Sequence, residues 1–174
     1  MGTYAVKIFG LQPLHNPGRL TDTTNAMAPT MTPTILIVGA TGNTGRSLVK
    51  TRLIRNTNLA SHRILAVTRN TDSPAAKEPA KVSGIVLVQQ NWVEIDDDWL
   101  REAGVVRVFI ASHTQPNQFA EEGQFLVNDL RAEVKYLVRI STTAANVHPD
   151  CPAYYPRTHW AIENMLSQQE VKEI

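Results

Sequence analysis

The chain has 174 residues, 43% of them apolar and 19% charged, a length and balance that suit one globular domain with a buried core. A net charge of +1 supplies no broad field for nucleic acid or an anionic membrane surface, and no apolar run reaches the ~20 residues needed to cross a bilayer. Cys151 has no second cysteine to pair with and no Cys-x-x-Cys zinc spacing exists, so a cytoplasmic protein without a metal centre is expected.

Residues 1–33 carry Pro, Asn, Thr and Gly without sustained periodicity and read as a flexible leader. The opening MGTYAV is like a myristoylation signal at Gly2, except that Val6 stands where Ser or Thr is needed. Lys7 and Arg19 suit a transit peptide, but the segment has little amphipathic patterning. Met27 and Met31 lie near the first strand and would each serve as a start.

That strand, Thr34–Val38, is an unbroken aliphatic and β-branched run, the pattern of a strand buried on both faces of a parallel sheet. It leads straight into Gly39, Gly42 and Gly45 and then a helical stripe of Gly45, Leu48, Val49 and Leu53. Gly39 lets the chain leave the strand sharply, Gly42 permits close approach of a pyrophosphate, and Gly45 lets helix and strand pack. Thr41, Asn43 and Thr44 add donors or a helix cap. The spacing is G-x-x-G-x-x-G, and with a strand before it and a helix after it this predicts a dinucleotide site. Ala40–Ser47 also approaches a Walker A loop, but it has Arg46 for the lysine and no later apolar strand ending in a magnesium-binding Asp.

Further strand-like runs follow at Arg63–Thr68, Gly84–Val88, Val105–Ala111 and Tyr136–Ser141. The second ends in Val67-Thr68-Arg69-Asn70, with no carboxylate before Asp72. An acid there would grip a ribose 2′-hydroxyl, whereas the Arg69 fork suits a 2′-phosphate, so NADP is favoured over NAD. Pro74–Lys81 reads as an irregular loop, and Asn91, after the third strand, is placed to meet an adenine edge. Asp97–Ala103 is a short helix candidate, and Ala111 and Ser112 should line the middle of the cofactor. Phe119, Gly123, Leu126, Val127 and Leu130 make a helical stripe. The final segment, with Pro156 at a favoured first helical position, aligns Tyr155, His159, Ile162 and Leu166. Strands alternating with helices predict an α/β fold with a doubly wound parallel sheet of about five strands.

GATGNTG at Gly39–Gly45, VTRN at Val67–Asn70 and YYPRTHWAIENML at Tyr154–Leu166 together resemble the short-chain dehydrogenase/reductase superfamily, in its atypical NmrA-like branch. The resemblance runs from residue 34 to about 170 and implies a Rossmann-like NAD(P)-binding domain over residues 34–174. That branch holds NADP-dependent reductases of quinones, aromatic ethers or isoflavonoids. It also holds redox-sensing regulators that bind the dinucleotide without turning it over.

Reductases of the superfamily use a Tyr-x-x-x-Lys pair; here Tyr155 is followed at the fourth position by His159, a weaker permanent charge. The resemblance makes Tyr155, His159 and Ser141 the candidate catalytic set, with Thr142 and Thr143 beside the serine. Cys151 reads as a loop thiol with no pairing base. The branch continues into a sixth strand and a small lobe that walls the substrate pocket, whereas this chain stops at Ile174. A truncated or reduced protein with an open sheet edge is therefore expected. Two functions follow from the resemblance: an NADP-dependent oxidoreductase, or its cofactor half, acting on a small-molecule substrate; or a non-catalytic dinucleotide sensor acting on a regulatory protein partner.

Overall fold

The computed structural model describes residues 6–10 (as backbone), 32–50 and 57–168. Strands β1 (Val6–Gly10), β2 (Thr34–Val38), β3 (Arg63–Thr68), β4 (Ile85–Gln89), β5 (Val105–Ile110) and β6 (Tyr136–Ile140) form one sheet in the order β1-β6-β5-β2-β3-β4. Pairings among β2 to β6 are all parallel, and β1 alone runs antiparallel, on β6. The helices are α1 (Asn43–Leu48), α2 (Pro74–Ala80), α3 (Asp97–Glu102), α4 (Gln118–Arg131) and α5 (Tyr154–Ser167). Leu53, placed by sequence on the first helical stripe, lies outside the described residues.

The central strands carry apolar residues on both faces because both faces are covered. On one side Leu36, Val38, Leu65, Val108, Ile110 and Leu137 pack with Leu100 of α3, Phe125 and Leu126 of α4, and Ile162 and Leu166 of α5. On the other, Ile35, Ile37, Ile64, Ala66 and Phe109 pack with Ala40 and Val49 around α1. Each fully buried side chain of this size is worth about 1.5–3 kcal/mol of transfer free energy. With α3, α4 and α5 packed on one face and α1 on the other, the sheet is doubly wound.

The sequence expectations are corrected at three places. Val6–Gly10, within the expected leader, is a strand with Val6 opposite Ile140 and Gly10 opposite Tyr136. It covers the outer edge of β6 that was expected to be open; a five-residue run that pairs only with a distant strand leaves no local signal. Pro74–Ala80, expected as a loop, is helical because Ser73 caps it, accepting from Ala76 N–H at 3.2 Å, and Pro74 fits the first turn. Pro79 then withholds an N–H from the last turn, and the helix ends one residue later.

The third correction concerns α4. Its inner face carries Gln118, Glu122, Phe125, Leu126 and Asp129, while Phe119, placed on the buried stripe by sequence, is largely exposed. Polar side chains occupy inward positions because buried partners await them, at least for Gln118 and Glu122. In α5 the inward residues are His159, Ile162 and Leu166, at the spacing the sequence gives them. Among the described residues no helix is long and apolar enough to cross a membrane.

Candidate nucleotide cleft

From β2 the chain steps outward through β3 and β4, then returns to the other side of β2 with β5 and β6. The reversal leaves a crevice beyond the carboxyl ends of β2 and β5, where open α/β sheets place their ligands. Ala111 N–H donates to the Val38 carbonyl at 3.1 Å and draws the two strand ends together. Gly39, the next residue, has φ of 80°, and a Cβ there would run into the Ala111 carbonyl oxygen. No residue but glycine fits that corner without displacing backbone.

The turn then closes by Gly42 N–H donating to the Gly39 carbonyl at 3.0 Å. Gly45 rests on the same carbonyl, so a Cβ on it would lie 2.8 Å from Ala40 Cα. At Gly42 an added Cβ would meet only Gly39 oxygen, at 3.3 Å, leaving open space over the rest of the turn. Gly42 is also the N-cap of α1 and offers no side-chain cap. The first-turn amides of Asn43, Thr44 and Gly45 have no acceptor within the helix, as at any helix start. A glycine-lined turn with open space above Gly42 fits a diphosphate.

Around this turn lies a cleft of about 520 Å³ lined by Gly39, Thr41, Val67, Thr68, Arg69, Gln90, Asn91, Trp92, Val93, Ala111, Ser112, His113, Gln115, Asn117 and Glu121. Gly42, Asn43, Thr44 and Gly45 sit beside it on the turn and the start of α1. Arg69 is exposed, lines this cleft at the end of β3, and its guanidinium bonds to no described residue. Its neighbours are engaged: Thr68 Oγ1 accepts from Asn70 N–H at 3.3 Å, and Asn70 Oδ1 accepts from Asp72 N–H at 2.8 Å. Asn91 spends its amide nitrogen on Glu94 Oε1 at 2.9 Å.

Sequence reasoning stopped at Ser112 and missed the wall beyond it. His113 Nδ1 accepts from Gln115 N–H at 3.1 Å, which leaves the proton on Nε2, facing Glu121 Oε2 at 2.5 Å. Asn117 also bonds Glu121, and Trp92 stands 5.7 Å from the His113 ring. The one available signal was position, since these residues directly follow a strand that ends at the crevice. The Tyr154 hydroxyl donates to the Pro116 carbonyl, tying the start of α5 to this loop.

The candidate catalytic residues lie behind the cleft, in a buried cluster around Arg139. This arginine is fully buried on β6 and donates from Nε to Glu122 Oε1 at 2.7 Å and from one terminal nitrogen to Glu163 Oε1 at 3.3 Å. Its other terminal nitrogen meets His159 Nδ1 at 2.9 Å, and Ser141 Oγ donates to Glu163 Oε1 at 2.5 Å. Buried charges survive only when paired in this way. Burial and the neighbouring Arg139 hold the His159 pKa down to about 4, against the opposing pull of Glu122 and Glu163. The imidazole is therefore neutral near pH 7. Tyr155 is half-buried with its ring edge-on to His159, centroids 4.5 Å apart. Ser141 and His159 are thus brought together, with Ser141 Oγ on Glu163 and His159 Nδ1 on Arg139, while His159 Nε2 is buried with no partner among the described residues.

Cys151 is a buried free thiol. Among the described residues no cluster of three or more His, Cys, Asp or Glu side chains is placed to hold a metal ion.

Strand order, crossover pattern and the glycine corner define a Rossmann-like α/β protein. No family model and no curated protein matches the sequence. Solved structures that share the fold include NmrA, a negative transcriptional regulator, in complex with NADP. The TM-score is 0.56 at 18% identity, over 78% of this chain and 41% of that one. The same regulator in complex with NAD gives the same values. Its monoclinic form gives a TM-score of 0.55 at 19% identity, over 79% of this chain and 42% of that one. At such identities the likeness establishes the fold, and the chain spans about two fifths of the length of these neighbours.

Proposed function

We propose that this chain is a nicotinamide-dinucleotide-binding domain of NmrA-like type that prefers NADP to NAD. The observation that carries the reading is the glycine corner at the switch point, where Gly39 and Gly45 admit no side chain and Gly42 opens on the cleft. A structural turn alone would not require open space over Gly42 together with a cleft of about 520 Å³ beside it. Support for the 2′-phosphate comes from Arg69, exposed in the cleft and bonded to no described residue, and from the absence of a carboxylate between Val67 and Asn70. NmrA in complex with NADP and with NAD has the same fold.

In the catalytic form of this proposal the domain is an NADP-dependent oxidoreductase, or the cofactor half of one, for a small-molecule substrate. The bound nicotinamide would supply hydride chemistry. Of the candidate catalytic residues, Tyr155 is the half-exposed one and would manage the proton, with His159 and Ser141 supporting it from behind.

A second reading is a dinucleotide sensor that acts on a protein partner. It is favoured by one observation: Ser141 and His159 are buried and committed to Glu163 and Arg139.

Calorimetric titration with NADP, NADPH, NAD and NADH tests binding, and failure of all four to bind would remove both readings. Hydride transfer to quinones or aromatic ketones by NADPH-saturated protein supports the enzyme. Absence of turnover, with oxidised and reduced forms bound at different affinity, supports the sensor, because equal affinities shift no equilibrium.

A further inference from the structure

The polar cluster behind the cleft fixes the chemistry of one position within it. Ser112 Oγ donates its hydrogen to Glu122 Oε2 at 2.7 Å and accepts from Gln118 Nε2 at 3.0 Å. Both directions are forced. The other oxygen of Glu122 takes Arg139 Nε at 2.7 Å, so this buried carboxylate is an acceptor on every side. Gln118 is fully buried with Nε2 facing two acceptors, the serine oxygen and Glu122 Oε2 at 3.3 Å. Turning that amide round would set its carbonyl against the carboxylate.

A hydroxyl has one hydrogen and two lone pairs. With the hydrogen and one lone pair spent, Ser112 offers the cleft a single acceptor lone pair. A phosphate or carboxylate oxygen brought against it would place two acceptors in contact, whereas an O–H or N–H would complete its valences.

We propose that Ser112 is a donor-selecting position, which takes an uncharged O–H or N–H group of the bound ligand and turns away its anionic oxygens, with Glu122 and Gln118 as the positioning residues that set its polarity. The identity of the ligand rests on the dinucleotide reading above. A nicotinamide dinucleotide carries both kinds of group: phosphates that only accept, and ribose hydroxyls and a carboxamide that donate. The cleft would then sort them, with phosphate at the glycine turn and Arg69, and sugar or amide at Ser112.

The test measures NADP and 2′,5′-ADP affinity, and the inhibition constant of sulfate (a pure acceptor) against NADPH, for four proteins: wild type, Ser112→Ala, Ser112→Thr and Glu122→Gln. Ser112→Ala should weaken NADP about five-fold, the weight of one neutral hydrogen bond, and Ser112→Thr should restore it. Sulfate inhibition should be the same in wild type and Ser112→Ala. A loss shared by 2′,5′-ADP puts the donor on the adenosine ribose, and a loss confined to NADP puts it in the nicotinamide half; either supports the proposal. In Glu122→Gln the amide oxygen must still face Arg139, so its N–H turns to Ser112 and frees the serine hydrogen. Sulfate should then inhibit several-fold better.

Unchanged NADP affinity in Ser112→Ala overturns the proposal while leaving the dinucleotide reading intact. So does sulfate inhibition that weakens with the alanine, or that is unaltered in a folded Glu122→Gln. If Glu122→Gln does not fold, the two Ser112 variants decide alone. If wild type binds neither NADP nor NAD, the reading and this proposal fall together.

Discussion

Asp129 gives the sharpest stability prediction. It lies fully buried on the inner face of α4, and neither carboxyl oxygen has a hydrogen-bond partner among the described residues. Burial raises its pKa well above the ordinary 3.8, so the folded chain keeps a proton there that the unfolded chain releases. The contribution to stability is therefore complete below about pH 3.8 and lost as pH climbs toward the folded value. Within that window the loss is about 1.4 kcal/mol per pH unit. Asp129→Asn keeps the shape and cannot ionise. Its stability advantage over wild type should grow from near pH 4 upward at that rate. For a chain of this length the rate corresponds to about 3–6 °C of melting temperature per pH unit. Thermal or urea unfolding of both proteins between pH 4 and 8, at fixed ionic strength, reads the difference directly. A gap that stays flat with pH, or an asparagine variant less stable than wild type at pH 7, would refute the argument by showing an ionised and paired carboxylate.

His159 should bend the profile the other way. Its pKa, depressed from 6.5 to about 4, makes the fold lose up to about 3 kcal/mol as pH falls through that interval. His159→Asn should flatten this acid limb in the same unfolding series, and parallel curves would contradict the assignment. Gly45→Ala drives a Cβ into the Gly39 and Ala40 backbone, so we expect a loss of about 1–3 kcal/mol in thermal unfolding, and an unchanged melting temperature would show that the turn can yield. Arg69→Ala should weaken NADP about 10- to 100-fold by calorimetry with little change for NAD, whereas an equal loss for both would remove the 2′-phosphate role.

Where structure follows from short, self-contained patterns, the sequence displays it. TILIV and RILAVT are too uniformly apolar for any half-exposed element, and their spacing leaves room for crossover helices. The glycine corner is equally legible as a pattern, although only Gly45 answers to a local clash, with Gly39 and Ala40, whereas the Ala111 carbonyl that demands glycine at Gly39 comes from the end of β5. α2 is obscured by its two prolines, although Ser73-Pro74 is a helix start in its own right. The cluster at Arg139 is hidden for a different reason. Its members come from α4, β6 and α5, and no spacing along the chain links Glu122 to Arg139 or His159. A charged residue inside YLVRI and polar residues at inward helix positions are the local traces it leaves. His113 and Glu121 stay silent because their meeting depends on how the loop after β5 turns into α4.

The antiparallel pairing of Val6–Gly10 with Tyr136–Ile140 has a consequence for biosynthesis. Of the described strands β1 is translated before the others, and its mate β6 follows only roughly 6–25 s later at about 5–20 residues per second. Until then β1 lacks the strand it pairs with among the described residues, while β2, β3 and β4 emerge consecutively and are neighbours in the finished sheet. Assembly of the sheet would thus proceed from the middle outward, with β1 seated after the strands that follow it in sequence.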